Sequence, residues 1–183
     1  ADASVFTFVF VGDLDVENFR PLVETYIGSL PALGREAKWK DDGVRPPSGG
    51  QEVAMKKGLE SKTRTAMIFT GAFEWTREHR DEIQVLRGVL GGFLNSVLRK
   101  TLGATYGVKT KANVSRFPVP IYEIAVEYTT DPDRAEEAAE AVMSAVDRLQ
   151  GGAADSQMVD AVIENESRKR ETVIKENGFW INE

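Results

Sequence analysis

The 183 residues contain no cysteine and a single histidine, His79. The first absence removes thiolate nucleophiles, disulfides and Cys-type zinc sites together. The second removes centres built on paired imidazoles, since a zinc site needs at least three protein ligands. No apolar run approaches the ~20 residues that span a bilayer, and no signal peptide is visible. Positive charge is also scarce: 23 Lys and Arg stand against 29 Asp and Glu, a net charge of −6. Nucleic acid is a poor partner for such a chain, because binding it requires a basic face that displaces counterions. No G-x-S-x-G elbow marks a nucleophilic serine. Gly58-Leu59-Glu60-Ser61-Lys62-Thr63 lacks the glycines of a phosphate loop and reads as a hairpin turn.

What is present suits a globular protein. Hydrophobic residues make up 42% and charged residues 28%, and a chain of this length buries roughly two thirds or more of its unfolded surface. Val5–Val11 is nearly all apolar and β-prone, as for a strand covered on both faces. Gly12-Asp13 turns the chain, and Asp15 can cap a helix starting at Val16 whose stripe is Val16, Phe19, Val23, Tyr26 and Ile27. A long surface loop follows from Pro31 to Gly50. Strands are expected around Glu52–Lys57 and Thr63–Thr70. A long helix is predicted from about Arg77 to Thr101, with the stripe Ile83, Leu86, Leu90, Phe93, Leu94, Val97 and Leu98, and Gly103 as its stop. Gly91-Gly92 inside it costs about 1 kcal/mol per glycine relative to alanine, which close packing would offset.

Gly107–Ser115 and Ile121–Thr130 read as a hairpin around Arg116-Phe117-Pro118-Val119-Pro120. Asp131 or Asp133 caps an alanine-rich helix to about Gln150, and a last helix starts near Ser156. This order lacks regular βαβ alternation. It predicts an α+β fold, a two-layer sandwich of a largely antiparallel sheet packed against helices, as one domain over residues 1–183. The chain opens almost inside a strand and ends without a cap, as expected of a domain excised from a larger protein.

His79-Arg80-Asp81-Glu82-Ile83 is one letter from H-x-x-E-H, the zinc-binding pair with its glutamate base. The place of the second histidine is held by Ile83, which opens the apolar stripe of the long helix. The segment is therefore read as an exposed histidine in a first helical turn. Leu98-Arg99-Lys100-Thr101-Leu102-Gly103-Ala104-Thr105-Tyr106-Gly107-Val108 differs in kind. Arg99 falls in the last turn of the helix and Tyr106 where the next strand begins. Together they offer a forked cation and a phenolic donor, suited to a peptide carbonyl or an oxyanion. Spacing alone prefers a plainer account, in which Arg99 favours the helix C-terminal dipole and Tyr106 packs locally.

That stretch resembles the Arg/Tyr motif of the pitrilysin/insulinase-type zinc peptidases, the inverzincins. Their L-R-x-x-L-G-x-x-Y core is matched in register by Leu98, Arg99, Leu102, Gly103 and Tyr106. Val9–Asp15 with Ser29-Leu30-Pro31, the KKGLESKTRTAMIFTGAFEW hairpin and the closing NGFWINE resemble the large bacterial, often periplasmic, members. Lys100 departs from the acidic residue that many relatives carry there. The resemblance implies a metallohydrolase-like, non-zinc, C-terminal domain, inactive alone. Zinc and its general base would lie in an N-terminal partner domain of the same protein. It also implies that Arg99 and Tyr106 hold peptide substrate near the scissile bond, Tyr106 donating to the oxyanion. The rival implication is a structural or assembly module of a non-proteolytic homologue. A free-standing ligand-binding domain is a third reading.

Overall fold

The computed structural model describes residues 2–103 and 107–182. In chain order the helices and strands are α1 (Val16–Tyr26), β1 (Thr63–Ala72), α2 (Arg77–Leu102), β2 (Lys109–Ser115), β3 (Ile121–Thr130), α3 (Ala135–Gln150), α4 (Ser156–Val173) and α5 (Asn177–Asn182). The chain divides into two compact units, Arg45–Ser167 and Ala1–Val44 with Arg168–Glu183.

The larger unit is organised by α2. Thr76 Oγ1 accepts the His79 amide at 3.1 Å, which satisfies one of the donors left unpaired at a helix start. Gly103, at φ 84°, ends the helix in the left-handed region that favours glycine. Between these stops Ile83, Leu90, Phe93, Leu94 and Leu98 are buried, Leu94 completely. Each such side chain contributes roughly 1.5–3 kcal/mol by leaving water. The expected stripe included Leu86, but Leu86 is 50% exposed and Val89 is the buried residue at this level.

The stripe packs on a three-stranded antiparallel sheet in the order β1-β3-β2. Register aligns the inward residues in rows: Phe69 and Ala112 flank Ile124, and Met67 and Thr110 flank Val126. These rows meet α2 and the Ala138, Val142 and Ala145 face of α3 in one apolar core. Period-2 alternation along β1 and β2 follows from the pleat, one face turned to the helices and the other to solvent. The architecture is thus the helix-on-sheet α+β sandwich expected from the element order.

Gly91 is explained by a close approach. A Cβ there would lie 2.6 Å from Thr110 Oγ1, whose hydroxyl donates to the Arg87 carbonyl at 3.1 Å. Gly92 has nothing within 4 Å of its Cβ position. Only the first of the two glycines is demanded by packing.

In the smaller unit Asp15 caps α1 as predicted, its Oδ1 accepting from the Glu17 and Asn18 amides at 3.1 and 3.3 Å. Phe19, Val23 and Ile27 form the partly buried side of α1, while Val16 and Tyr26 are exposed. Phe10 meets Phe19 edge-on at 5.1 Å between ring centroids. Asp2 is buried, and its carboxylate accepts from Ser4 N, Ser4 Oγ, Leu33 N and Arg35 Nε at 3.1, 2.6, 2.9 and 2.7 Å.

Three local expectations are corrected. Val5–Val11 and Glu52–Lys57 are not strands, and Phe6 and Val53 are 65% and 90% exposed. A strand exists through its ladder, and neither segment joins the sheet of the described residues. The N-cap of α3 is Arg134, without a side-chain capping bond, because Pro132–Arg134 first makes a 3-10 turn after Asp131.

Candidate functional site

Arg99 lies in the final turn of α2 with an exposed side chain. Tyr106 lies outside the described residues. The segment between α2 and β2 is therefore characterised at its two ends. At the first, the Gly103 amide donates to the Arg99 carbonyl at 3.2 Å. At the second, Asn95 reaches from α2 to buried Val108. Its Oδ1 accepts the Val108 amide at 3.1 Å, and its Nδ2 donates to the Val108 carbonyl at 3.3 Å and the Gly91 carbonyl at 2.9 Å. One side-chain amide thus satisfies both backbone groups of a residue 13 positions later. Asn95 is a positioning residue that the sequence reading passed over. Its signal was a lone amide set between the buried pairs of an apolar stripe.

A second clamp involves Arg134. Its Nη2 donates to the Thr101 carbonyl at 2.8 Å, filling an acceptor left open at the end of α2. The same guanidinium holds Glu137 through Nε and Nη2 at 2.9 and 3.0 Å. Hydrogen bonding to Glu137 raises the pKa of Arg134, and the same bonds lower that of Glu137. Arg134 is thereby committed to structure, whereas Arg99, one turn of the helix away from its own carbonyl's partner, presents its fork to solvent. A planar guanidinium so placed can donate two parallel hydrogen bonds to a carbonyl or carboxylate.

His79 stands at the opposite end of α2. Its Nδ1 lies 3.1 Å from the Glu74 carbonyl oxygen, and its ring meets Phe73 edge-on. Ile83 is in the core. Among the described residues no group of three His, Asp or Glu side chains could hold a metal ion. A groove of about 750 Å³ runs along the first half of α2 and is lined partly by Leu86, Val89 and Ile163. It ends ten residues before Arg99, about 15 Å along a helix.

Residues 2–166 match the family described as the peptidase M16 inactive domain. The chain belongs to that family. The pitrilysin-type resemblance carried by the sequence therefore holds. A zinc protease PQQL-like protein of Arabidopsis thaliana is 24% identical over 197 residues, covering 99% of this chain and 20% of the relative. A probable zinc protease PqqL of Haemophilus influenzae is 22% identical over 136 residues, covering 74% of this chain and 14% of the relative. The chain thus spans about a fifth or less of the curated relatives it matches. The crystal structure of the periplasmic protease PqqL from Escherichia coli superposes with a TM-score of 0.76 over 93% of this chain and 19% of that one. At 13% identity this likeness shows a shared fold. No helix among the described residues is long and apolar enough to cross a membrane.

Proposed function

We propose that this M16 inactive domain is the substrate-gripping part of a zinc metalloendopeptidase, as one domain of a larger chain whose N-terminal partner domain holds the metal. Zinc there supplies the activated water. The donor set of this chain does not suit the metal: His79 faces the Glu74 carbonyl and Ile83 is spent in the core. Its own residues bind and orient. Arg99 holds a carbonyl of the peptide backbone, and Tyr106 donates to the oxyanion of the tetrahedral intermediate. The periplasmic protease PqqL of Escherichia coli, which shares the fold, supports a setting in the periplasm or cell envelope.

The observation that carries this reading is the exposed Arg99 at the end of α2, within a chain matching the inactive domain over residues 2–166. The α2 terminus already has Arg134 on its Thr101 carbonyl, which leaves the Arg99 guanidinium open to an outside carbonyl. The test uses the full-length protein. Tyr106→Phe should lower turnover about 10²–10³-fold, the usual loss of one oxyanion donor, and Arg99→Ala should lower it by loosening the peptide backbone, each with zinc content unchanged. Wild-type turnover in both variants would overturn the assignment. An assembly module of a non-proteolytic homologue is separated from this reading by the N-terminal half of the parent: H-x-x-E-H present there supports the peptidase, and its absence supports the module.

A further inference from the structure

Toward the C-terminal end of α2 lies a second cavity of about 280 Å³. Phe93, Val97 and Met158 give it an apolar floor, Ser96 and Thr101 add hydroxyls, and Lys100 and Arg148 add two cations. Three helices contribute: α2 supplies one wall, α3 brings Arg148, and α4 brings Met158. The guanidinium of Arg148 is held over the Phe93 ring at 5.0 Å from its centroid, so it is placed without being neutralised. Among the described residues neither Lys100 nor Arg148 has a carboxylate partner, unlike Arg87, Lys111 and Arg134. In a chain of net charge −6, two uncompensated cations converging on one cavity are a local inversion of sign.

We infer that this cavity is a subsite for a carboxylate of the bound peptide, held by Lys100 and Arg148, with Ser96 and Thr101 as hydroxyl donors. The inference rests on the peptide-gripping reading above and adds a preference to it. Lys100 and Arg99 are consecutive helix residues, about 100° apart around the axis. An extended peptide held by Arg99 therefore needs about three further residues to carry a carboxylate around the helix to Lys100. The apolar floor accepts the methylenes of an acidic side chain, and the cations meet its head. A peptide C-terminus carries the same chemistry.

The test is binding of fluorescein-labelled peptide pairs to the full-length protein, read by anisotropy. One pair differs only in Glu against Gln, and the other only in a free against an amidated C-terminus. Wild type should prefer the carboxylate member of at least one pair by about tenfold, the sum of two exposed charge contacts. Whichever pair responds identifies the source. Lys100→Gln with Arg148→Gln should bring that ratio to about one, and Lys100→Glu with Arg148→Glu should invert it. Both side chains are exposed, and circular dichroism checks that the variants keep their helices. Equal binding of both members of both pairs by wild type overturns the inference, as does a preference that survives the double substitution. Failure of the Arg99 reading looks different: Arg99→Ala then leaves turnover at the wild-type level while the carboxylate ratio is still lost in the Lys100/Arg148 variants.

Discussion

Alanine at Gly91 and alanine at Gly92 should shift stability in opposite directions, although the two residues are adjacent in one helix. Each replacement gains about 1 kcal/mol of helix propensity. At position 92 the new methyl group meets nothing within 4 Å, so the gain stands. At position 91 the methyl carbon would sit 2.6 Å from Thr110 Oγ1, with Thr110 Cγ2 at 3.6 Å behind it. The hydroxyl can turn away only by abandoning the Arg87 carbonyl, a bond of 3.1 Å worth about 1 kcal/mol. Its side chain is β-branched and sits on a paired strand, so few other rotamers are open. Overpacking of this kind costs typically 1–3 kcal/mol. The net effect of Gly91→Ala is then destabilisation by about 1 kcal/mol, against stabilisation by about 1 kcal/mol for Gly92→Ala. Urea unfolding followed by helical circular dichroism measures both. Thr110→Ala completes the cycle: with the hydroxyl gone, Gly91→Ala should become stabilising in that background. If Gly91→Ala stabilises as much as Gly92→Ala in the unmodified chain, the close approach of α2 to β2 is refuted.

Asn95→Ala strands the amide and carbonyl of buried Val108, at about 1–3 kcal/mol. Hydrogen exchange at the Val108 amide should accelerate accordingly, and unaltered protection there would remove Asn95 from its positioning role. Asp2 carries a pH signature. Its bonds, led by the Ser4 hydroxyl, hold the carboxyl well below the ordinary value of 3.8. A depressed folded-state pKa stabilises fully above the unfolded value and loses that contribution as pH falls toward the folded one. The smaller unit should therefore weaken from about pH 4 downward, and Asp2→Asn should be less stable near neutrality with a flatter acid profile. Tryptophan fluorescence from Trp39 and Trp180 reports on that unit, and identical acid profiles would contradict the network.

Helices were legible where their signals are local. Asp15 and Gly103 act on backbone groups within a few residues, and the 3.6 period of Ile83, Leu90, Leu94 and Leu98 needs no knowledge of what they face. The hairpin of β2 and β3 was legible for the same reason, its turn being short and proline-rich. Val5–Val11 was not, because apolar, β-prone residues become a strand only when a ladder forms, and the partner is not written nearby. Leu86 and Val89 exchanged roles because both fit the period, and the neighbouring elements decided between them. Asn95 escaped notice since its partner lies 13 residues away across a chain reversal. The Arg/Tyr motif was legible as a pattern of letters. What the pattern cannot state is that Arg134 caps the same helix end and leaves Arg99 to face outward.

The order of the sheet leaves two outer rails of amides and carbonyls, and they are not alike. Along β2 the solvent face carries Lys109 and Lys111, the latter paired with Glu127 of β3, and charged side chains on an edge strand disfavour docking of another strand. Along β1 the outward row has one charge, Arg64 at its start, after which Ala66, Ile68 and Thr70 bear none, and Ile68 is exposed. When the polypeptide is crowded, self-association therefore has a preferred seam, and a single lysine introduced at Ile68 is the natural way to close it.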